Sequence, residues 1–276
     1  MHKIVKIEII IAVLVFVAGC NFKTYAQAPA TSSSIDANTD SVDSTPDKDI
    51  RGQASSPQID NILRDLQKAA AGLKSYQCRI EYLFSQPVLE SKTLRTGTLQ
   101  YARPAESSKL RIDFNTLSQD DGPQQKYIEC YIFDGLWLTH IDYQIKQVQK
   151  RQLAEPNESI DAFELAKRNF PIIGFSKTED LKKEFDVNLV DEPNGRFHLF
   201  MKVRPDSQYK DDYKTVDVWL DKKLMLPARL TAVSTQDDIY EISFIEPKVN
   251  ETIDEKVFDF TIPDDFGKPE IIPLKK

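Results

Sequence analysis

From Lys214 to Phe266 the chain reads KTVDVWLDKKLMLPARLTAVSTQDDIYEISFIEPKVNETIDEKVFDFTIPDDF, and this pattern indicates the architecture of the whole chain. Three segments within it alternate apolar and polar residues, and the polar turns Asp221–Lys223 and Gln236–Asp238 separate them. Alternation with a period of two, bounded by polar turns, predicts antiparallel strands that follow one another in a meander. The apolar positions of these strands are Val216, Val218 and Leu220, then Leu230 and Ala232, then Tyr240, Ile242 and Phe244.

Alternation of the same kind runs through most of the chain on the N-terminal side of this stretch. Asp134-Gly135 and Asn194-Gly195 are each flanked by such runs, and both dipeptides favour two-residue hairpin turns. Together with the meander, about ten or eleven antiparallel strands are predicted. The further runs are Tyr76–Phe84, Thr93–Arg103, Lys109–Phe114, Tyr127–Phe133, Leu136–Asp142, Gln144–Leu153, Phe185–Val190 and Arg196–Val203.

The apolar face of an antiparallel sheet needs a cover, and a helix is predicted to supply it. Ser56-Pro57 has the pattern of a helix start, and apolar residues follow at spacings of three and four from Ile59 to Leu73. Between residues 154 and 184 the strand pattern stops, and Ile160–Asn169 carries apolar residues at roughly helical spacing. We predict an α+β protein, mainly antiparallel β, with an N-terminal helix and a mid-chain helical insertion.

The composition restricts the classes of function. The chain has 276 residues, a net charge of −7 and 41% hydrophobic residues, which suits one good-sized domain or two small ones. Nucleic-acid phosphates require clustered Lys and Arg, and this acidic chain has no basic block. No nucleic-acid partner is therefore expected.

The N-terminus has the pattern of a targeting segment. Basic residues precede the apolar run Ile9–Val17, which is too short to span a bilayer but suits a secretory signal. Val17-Ala18-Gly19-Cys20 is similar to a bacterial lipobox, in which the Cys is diacylated and becomes the mature N-terminus. Residues 1–19 are then a lipoprotein signal peptide and Cys20 carries the lipid; the alternative is an ordinary signal cleaved near Ala28. The residue after Cys20 is Asn21. An Asp at this position would resemble an inner-membrane retention signal, and its absence favours the outer membrane.

Residues 20–56 comprise the lipidated Cys and a tether. This segment is rich in Ser, Thr, Asp and Ala and has too few large apolar residues to form a core, so we predict that it is disordered. Residues 57–267 are predicted to form the folded domain, with no internal boundary or sequence repeat. Residues 268–276, rich in Pro and Lys, are predicted to be a loose tail.

Two further cysteines, Cys78 and Cys130, remain in the exported chain and could pair as a disulfide. Each also alternates with apolar neighbours, as a small apolar residue on the buried face of a sheet does. Both interpretations stay open at this point.

The sequence carries no recognisable catalytic or metal-binding motif. His140 and His198 lie in strand-like runs, and no His or Cys spacing suits a metal. The phosphate-binding, dinucleotide-binding and hydrolase motifs are absent, and the adjacent Asp pairs lie in predicted turns. We therefore expect neither an enzyme nor a resident cofactor or metal.

Several short motifs resemble, in order, those of the outer-membrane lipoprotein carriers and acceptors, the LolA/LolB-like superfamily. The resemblance covers about Ile59 to Gly267, and each motif alone is weak. The motifs are the amphipathic helix leading into Leu73-Lys74-Ser75-Tyr76; Gly97-Thr98-Leu99-Gln100-Tyr101-Ala102-Arg103-Pro104; Lys109–Phe114; Phe133-Asp134-Gly135-Leu136-Trp137; Gln147-Val148; and Asn250, Ile253, Phe258, Phe260 and Pro263.

This resemblance implies a strongly curved, incomplete β-barrel closed by helices, whose apolar hollow holds the acyl chains of a lipid or lipoprotein. In the carriers the Arg of the Arg-Pro motif reaches toward the helical lid and helps to gate it, and here that residue is Arg103. A surface Arg before a proline turn is the alternative. The same cavity residues would also fill a tightly packed core, and the pattern does not separate the two. The acyl-cavity candidates are Ile80, Tyr82, Phe84, Leu99, Tyr101, Leu110, Ile112, Phe114, Ile128, Ile132, Val218, Leu220, Tyr240, Ile242 and Phe244.

The resemblance also implies a function. We expect a lipid-anchored protein of the bacterial envelope, in the outer membrane and facing the periplasm, that acts in lipoprotein sorting or lipid transfer. Its partners would be acyl chains, the membrane through the lipid anchor, and an envelope protein. The alternative is an envelope sensor or scaffold that uses the half-barrel as a protein-interaction surface. The soluble carriers lack a lipid anchor, and the apolar loop of the acceptors has only Phe170–Phe175 as a counterpart here.

Overall fold

The computed structural model describes residues 56–104, 108–162, 178–190 and 195–274. Within these ranges the chain forms two α-helices, α1 (Ser56–Ala71) and α2 (Thr178–Glu184), and twelve strands. Short 3₁₀ turns lie at Pro87–Leu89 and Glu255–Phe258. The strands are β1 (Ser75–Gln86), β2 (Ser91–Ala102), β3 (Lys109–Gln119), β4 (Gln125–Phe133), β5 (Trp137–Asp142), β6 (Gln147–Gln152), β7 (Phe185–Val190), β8 (Arg196–Val203), β9 (Tyr213–Asp221), β10 (Pro227–Ser234), β11 (Ile239–Val249) and β12 (Glu270–Ile272).

All twelve strands belong to one sheet, in the order β12-β6-β5-β4-β3-β2-β1-β11-β10-β9-β8-β7. Neighbouring strands are antiparallel, except that β12 runs parallel to β6. Strand β1 lies near the centre, because it pairs with β2 on one side and with β11 on the other. The sheet is curved and is not closed into a barrel, so the mainly antiparallel, incompletely closed architecture agrees with the prediction.

The two faces of the sheet differ in what they contact. We call the face on which α1 packs the inner face, and the opposite one the outer face. Cross-strand partners on the inner face, such as Ile80 with Phe244 and Leu230 with Val218, place apolar side chains next to one another. Alternation within each strand therefore places most of its large apolar side chains on one face of the sheet.

Helix α1 covers part of the inner face, as its apolar stripe predicts. Ile59, Ile62, Leu63 and Leu66 recur at helical spacing and are only 4–5% exposed. They pack against side chains of β8, β9 and β10 and against Leu181 of α2. Burial of each such side chain stabilises the fold by roughly 2 kcal/mol, so this stripe is sufficient to dock the helix.

The C-terminal segment, which is the part of the chain that follows β11, covers part of the outer face. Arg111 of β3 donates hydrogen bonds to the carbonyl oxygens of Val257, at 2.8 Å, and Asp259, at 3.0 Å. After this attachment the chain reaches β6, where Glu270–Ile272 adds β12 to the sheet edge. The segment predicted to be a loose tail therefore contains an ordered strand. The apolar side chains that meet beneath this segment are Cys130, Ile132, Ile141, Val148, Ile262 and Phe266.

The two cysteines lie on opposite faces of the sheet. Cys78 belongs to the inner-face core, whereas Cys130 belongs to the outer-face cluster beneath the C-terminal segment. Both are buried free thiols. The disulfide alternative is therefore wrong, and the interpretation of both as small apolar residues is confirmed.

Both thiols should be unreactive in the folded protein. Burial raises the pKa of Cys78 to about 12 and also raises the pKa of Cys130. Because the thiolate is the reactive form, we expect a maleimide at pH 8 to label both on the order of 100-fold more slowly than in the urea-unfolded chain. Mass spectrometry of the digested peptides measures the two rates. Rapid labelling of either cysteine in the folded protein would contradict this expectation.

Some sequence predictions fall on residues that the structure does not describe. The signal peptide, Cys20 and the tether lie outside the described residues, as do Phe170–Phe175 and most of the predicted mid-chain helical insertion. The predicted strands are all present, and β12 is additional to them. None of the described helices is both long enough and apolar enough to cross a membrane.

Candidate functional site

Most of the predicted acyl-cavity residues lie together on the inner face, in the part of the sheet formed by β1, β2, β3 and β11. Tyr82, Ile112 and Phe114 are among the most buried, with 0–3% of their surface exposed. We call this group of residues the inner wall. The predicted residues that form it, or pack directly against it, are Ile80, Tyr82, Phe84, Leu99, Tyr101, Leu110, Ile112, Phe114, Tyr240, Ile242 and Phe244.

Two predicted cavity residues, Val218 and Leu220, lie on the inner face but in a different cluster. Both have 0% of their surface exposed and pack in the cluster that contains the apolar stripe of α1. Over β8, β9 and β10 the inner face is therefore occupied by the protein's own helix. The sequence pattern was compatible with either a cavity or a tightly packed core. In this part of the sheet the structure contains a tightly packed core.

Two other predicted cavity residues, Ile128 and Ile132, lie on the outer face of the sheet and not on the inner face. Ile132 lies in the outer-face cluster, and alternation along β4 gives Ile128 the same side. The inner positions of β4 are taken by Tyr131 and Phe133 instead. The prediction failed because both sides of β4 carry large apolar residues, so alternation could not select the inner one.

The segment that follows β6 covers one end of the inner wall. Leu153, Ile160 and Ala162 pack against the wall, and Ala162 is 4% exposed. The amide of Ile160 donates a hydrogen bond to the carbonyl oxygen of Gly135 at 2.9 Å, which fixes the segment to the β4–β5 turn. We call residues 153–162 the cover segment.

Arg103, the predicted gating residue, contacts the cover segment directly. Its Nε donates to Oδ2 of Asp161 at 2.9 Å, and the two side chains are 33% and 24% exposed. The hydroxyl of Tyr101, an inner-wall residue, donates to the same oxygen at 3.5 Å. Burial lowers the pKa of Arg103 and is the largest single effect, but the hydrogen bonds and charges of Asp161 and Tyr101 together outweigh it, so the pKa is raised. A charged contact thus ties the end of β2 to the segment that covers the wall.

A buried polar network interrupts the apolar inner face at β2, β4 and β5. Glu129 is 1% exposed, and Nη1 of Arg95 donates to its Oε2 at 3.1 Å. The hydroxyl of Tyr131 donates to Oε1 at 2.7 Å, and Nε2 of His140 lies 3.1 Å from the same oxygen. The rings of Tyr131 and His140 stack, with their centroids 4.4 Å apart. These partners compensate the carboxylate for the loss of water.

The sequence prediction missed this network. Assigning Ile128 and Ile132 to the inner face places Glu129 on the solvent side of β4, where a carboxylate is unremarkable. On β2, Arg95 lies an even number of residues from Leu99, so the two side chains are on the same face of the strand. This alternation was the signal in the sequence that Arg95 points inward. A charged residue at an inward position of a strand indicates a buried partner, because an unpaired buried charge is too costly.

The network by itself does not indicate catalysis. Both oxygens of Glu129 accept hydrogen bonds, and Arg95 balances its charge. A general base needs an oxygen within reach of a substrate proton, and here both oxygens are engaged within the protein. The arrangement is that of a buried ion pair with two hydrogen-bonding neighbours.

Several solved structures are similar to this chain. The MucA/MucB complex of Pseudomonas aeruginosa matches with a TM-score of 0.46 and 13% identity, over 74% of this chain and 61% of that chain. An uncharacterized conserved protein of Thermus thermophilus matches with a TM-score of 0.45 and 12% identity, over 80% and 100% of the two chains. The lipoprotein LppX of Mycobacterium tuberculosis matches with a TM-score of 0.42 and 10% identity, over 72% and 99%. The present chain thus spans less than two thirds of the matched chain in the first of these.

The sequence itself identifies the family. No curated protein matches it. However, the family model of the outer membrane lipoprotein carrier protein LolA matches residues 79–261, which is more than half of the chain. The matched range includes Arg103, the cover segment and most of the inner wall, and it confirms the resemblance seen in the short motifs. The chain belongs to the LolA family of outer membrane lipoprotein carrier proteins.

Proposed function

We propose that this protein is a membrane-anchored lipoprotein of the bacterial envelope that binds acyl chains of a lipid or lipoprotein on its inner wall. Its role is in lipoprotein sorting or lipid transfer. The observation that carries the proposal is the continuous apolar inner wall, in a chain of the LolA family.

An apolar wall can hold an acyl chain without directed polar contacts. Removing hydrocarbon from water contributes about 0.8 kcal/mol per methylene group, so a 16-carbon chain represents on the order of 10 kcal/mol. Leu99, Ile112 and Phe114 present only apolar side-chain atoms to such a ligand. An acyl chain is therefore the ligand class that gains most from contact with this surface.

The acyl chain is proposed to lie over β1, β2 and β3, and not over β8, β9 and β10. Helix α1 already packs on the latter strands. Over the former strands, Ile160 and Ala162 of the cover segment pack against the wall. A ligand that reaches the wall must displace these side chains, so binding is coupled to movement of the cover segment.

Arg103 is proposed to hold the cover segment closed through Asp161. Removing a partly exposed ion pair worth about 1 kcal/mol should speed the release of an acyl chain by about fivefold, so we expect this acceleration in Arg103→Ala. Stopped-flow fluorescence of a bound fatty-acid probe measures the rate.

Arg79→Ala is the matched control for this experiment. It removes the pair Arg79–Glu246, whose side chains are 61% and 77% exposed, and it should leave the release rate unchanged. If Arg103→Ala and the native protein release the acyl probe at the same rate, Arg103 does not gate the cover segment and is only a surface residue before a proline turn.

Binding of an acyl probe tests the proposed function itself. We expect the delipidated protein to bind a fluorescent fatty acid with micromolar or tighter affinity, and native mass spectrometry of protein from its host to show bound lipid. Leu110→Trp, on the inner wall, should weaken binding by about tenfold, because the added ring occupies ligand space. Leu83→Trp, on the outer face of β1, is the control. Absence of binding by a protein with a folded circular-dichroism spectrum rejects the proposal.

One observation favours a second function. Helix α1 fills the inner face over β8, β9 and β10, which reduces the apolar surface left for a lipid. In this alternative the protein is an envelope sensor or scaffold that binds a protein partner. A stable partner on co-purification, together with a native mass spectrum without lipid, would support the alternative.

The membrane anchor and the location are part of the proposal. Residues 1–19 would be removed and Cys20 would carry the lipid that holds the protein in the outer membrane, facing the periplasm. Labelling with radioactive palmitate should be lost in Cys20→Ala, and fractionation should recover the native protein with the outer membrane.

A further inference from the structure

We propose that Glu129, His140 and Asp142 form a binding site for a divalent metal ion of the zinc type. The inference is independent of the acyl-chain function. One potential ligand atom from each of the three residues lies within 4.8 Å of the others. An imidazole with two carboxylates suits zinc, whereas magnesium and calcium prefer oxygen ligands alone.

The pairing of two strands sets this arrangement. Glu129 of β4 lies directly opposite Asp142 of β5, and His140 precedes Asp142 by two residues. Residues two apart in a strand share a face, so the three side chains leave the sheet on its inner face. Ligands held by a paired sheet need little reordering when the metal binds.

The distances permit a metal between the side chains. Nε2 of His140 and Oε1 of Glu129 are 3.1 Å apart. A zinc ion at its usual bond lengths of about 2.0–2.1 Å would bind both atoms at an angle of about 100°. Asp142 would supply Oδ2 as the third ligand, because its Oδ1 accepts the backbone N–H groups of Gln144 and Ile145. Three protein ligands leave a fourth position for water.

Neighbouring side chains would orient these ligands. The ring of Tyr131 stacks on the imidazole of His140 with an angle of 10° between their planes, and its hydroxyl donates to Glu129. Arg95 holds the other oxygen of Glu129. Contacts of this kind to the ligands fix their orientation in protein metal sites.

The cluster holds two buried carboxylates, since Glu129 is 1% exposed and Asp142 is 6% exposed. Arg95 pairs with Glu129, and a divalent cation bound between the three side chains would add positive charge next to both carboxylates. The side chain of His140 is 14% exposed, which gives solvent access to the site. Because Arg95 lies close and repels a cation, we expect micromolar rather than nanomolar affinity.

Zinc titration of the full chain tests this proposal. The protein is purified in detergent with a tag that lacks histidine, dialysed against a chelator, and titrated with Zn²⁺ in a calorimeter. We expect the native chain to bind one Zn²⁺ ion. The affinity of His140→Gln and of Asp142→Asn for Zn²⁺ should be at least about tenfold weaker than that of the native chain. His198→Gln is the matched control, because His198 also contacts a carboxylate, Asp217 at 2.6 Å, but on the outer face.

Two further measurements make the result decisive. Circular dichroism establishes that each variant is folded. X-ray absorption of the zinc-loaded native chain, which needs no variant, should show one imidazole nitrogen with oxygen ligands and no sulfur. Absence of zinc binding by the native chain, equal affinity in His140→Gln, or a sulfur ligand would each overturn the proposal.

Discussion

Replacing Gly97 with alanine should destabilise the protein by about 4 kcal/mol or more. A Cβ atom on Gly97 would lie 1.8 Å from the carbonyl oxygen of Asp113 and 2.9 Å from Cα of Phe114. Both are backbone atoms of the neighbouring strand, so no change of side-chain rotamer can relieve the overlap. Strands β2 and β3 would have to separate, and Phe114 of the inner wall would lose its packing.

The position of Gly97 explains why the sheet needs it. The register between β2 and β3 shifts between Thr96 and Gly97, because β3 has one residue more than β2 at this point. Such bulges, together with glycine, allow a sheet to bend strongly and two backbones to approach closely. The curvature that forms the inner face thus depends on a residue without a side chain.

Thermal unfolding measures the effect of Gly97→Ala. For a domain of this size the midpoint should fall by about 10 °C. Gly267→Ala is the control, since a Cβ there meets nothing within 4 Å, and it should change stability by less than about 0.5 kcal/mol. A similar, small effect of both substitutions would mean that β2 and β3 can move apart at little cost.

Most of the strands, and α1, could be predicted because their apolar residues recur mainly on one side. In β9, Val216, Val218 and Leu220 alternate with residues such as Asp217, so the sequence determines which side is buried. The pairing of β1 with β11 has no such local signal. Tyr76 lies opposite Val249, and only the complete sheet brings these distant residues together.

The candidate site was predictable where one side of a strand is apolar, and not elsewhere. On β4 both sides are apolar, and the choice of Ile132 over Tyr131 also hid the role of Glu129. Arg103 was found through the family motif, but its partner, Asp161, lies 58 residues further along the chain. Side-chain pairs that join distant segments depend on the sheet geometry, which alternation alone does not specify.

Arg95→Met should destabilise the protein by about 3–5 kcal/mol, because it leaves a buried carboxylate without its cation. The side chains of Arg95 and Glu129 are 12% and 2% exposed, so water cannot readily replace the guanidinium. Methionine retains much of the volume of the arginine stem, so the loss is mainly electrostatic. The hydroxyl of Tyr131 would still donate to the carboxylate, but a neutral hydroxyl does not balance its charge. Urea unfolding followed by circular dichroism measures the difference.

Two comparisons separate this electrostatic cause from a general loss of packing. Arg79→Met breaks an ion pair whose side chains are 61% and 77% exposed, and it should cost less than about 1 kcal/mol. Adding Glu129→Gln to Arg95→Met should recover stability, because the amide removes the unpaired buried charge. If the double variant is no more stable than Arg95→Met, the cost arises from lost contacts of the arginine, including its stacking on Tyr127 at 5.1 Å, and not from the charge of Glu129.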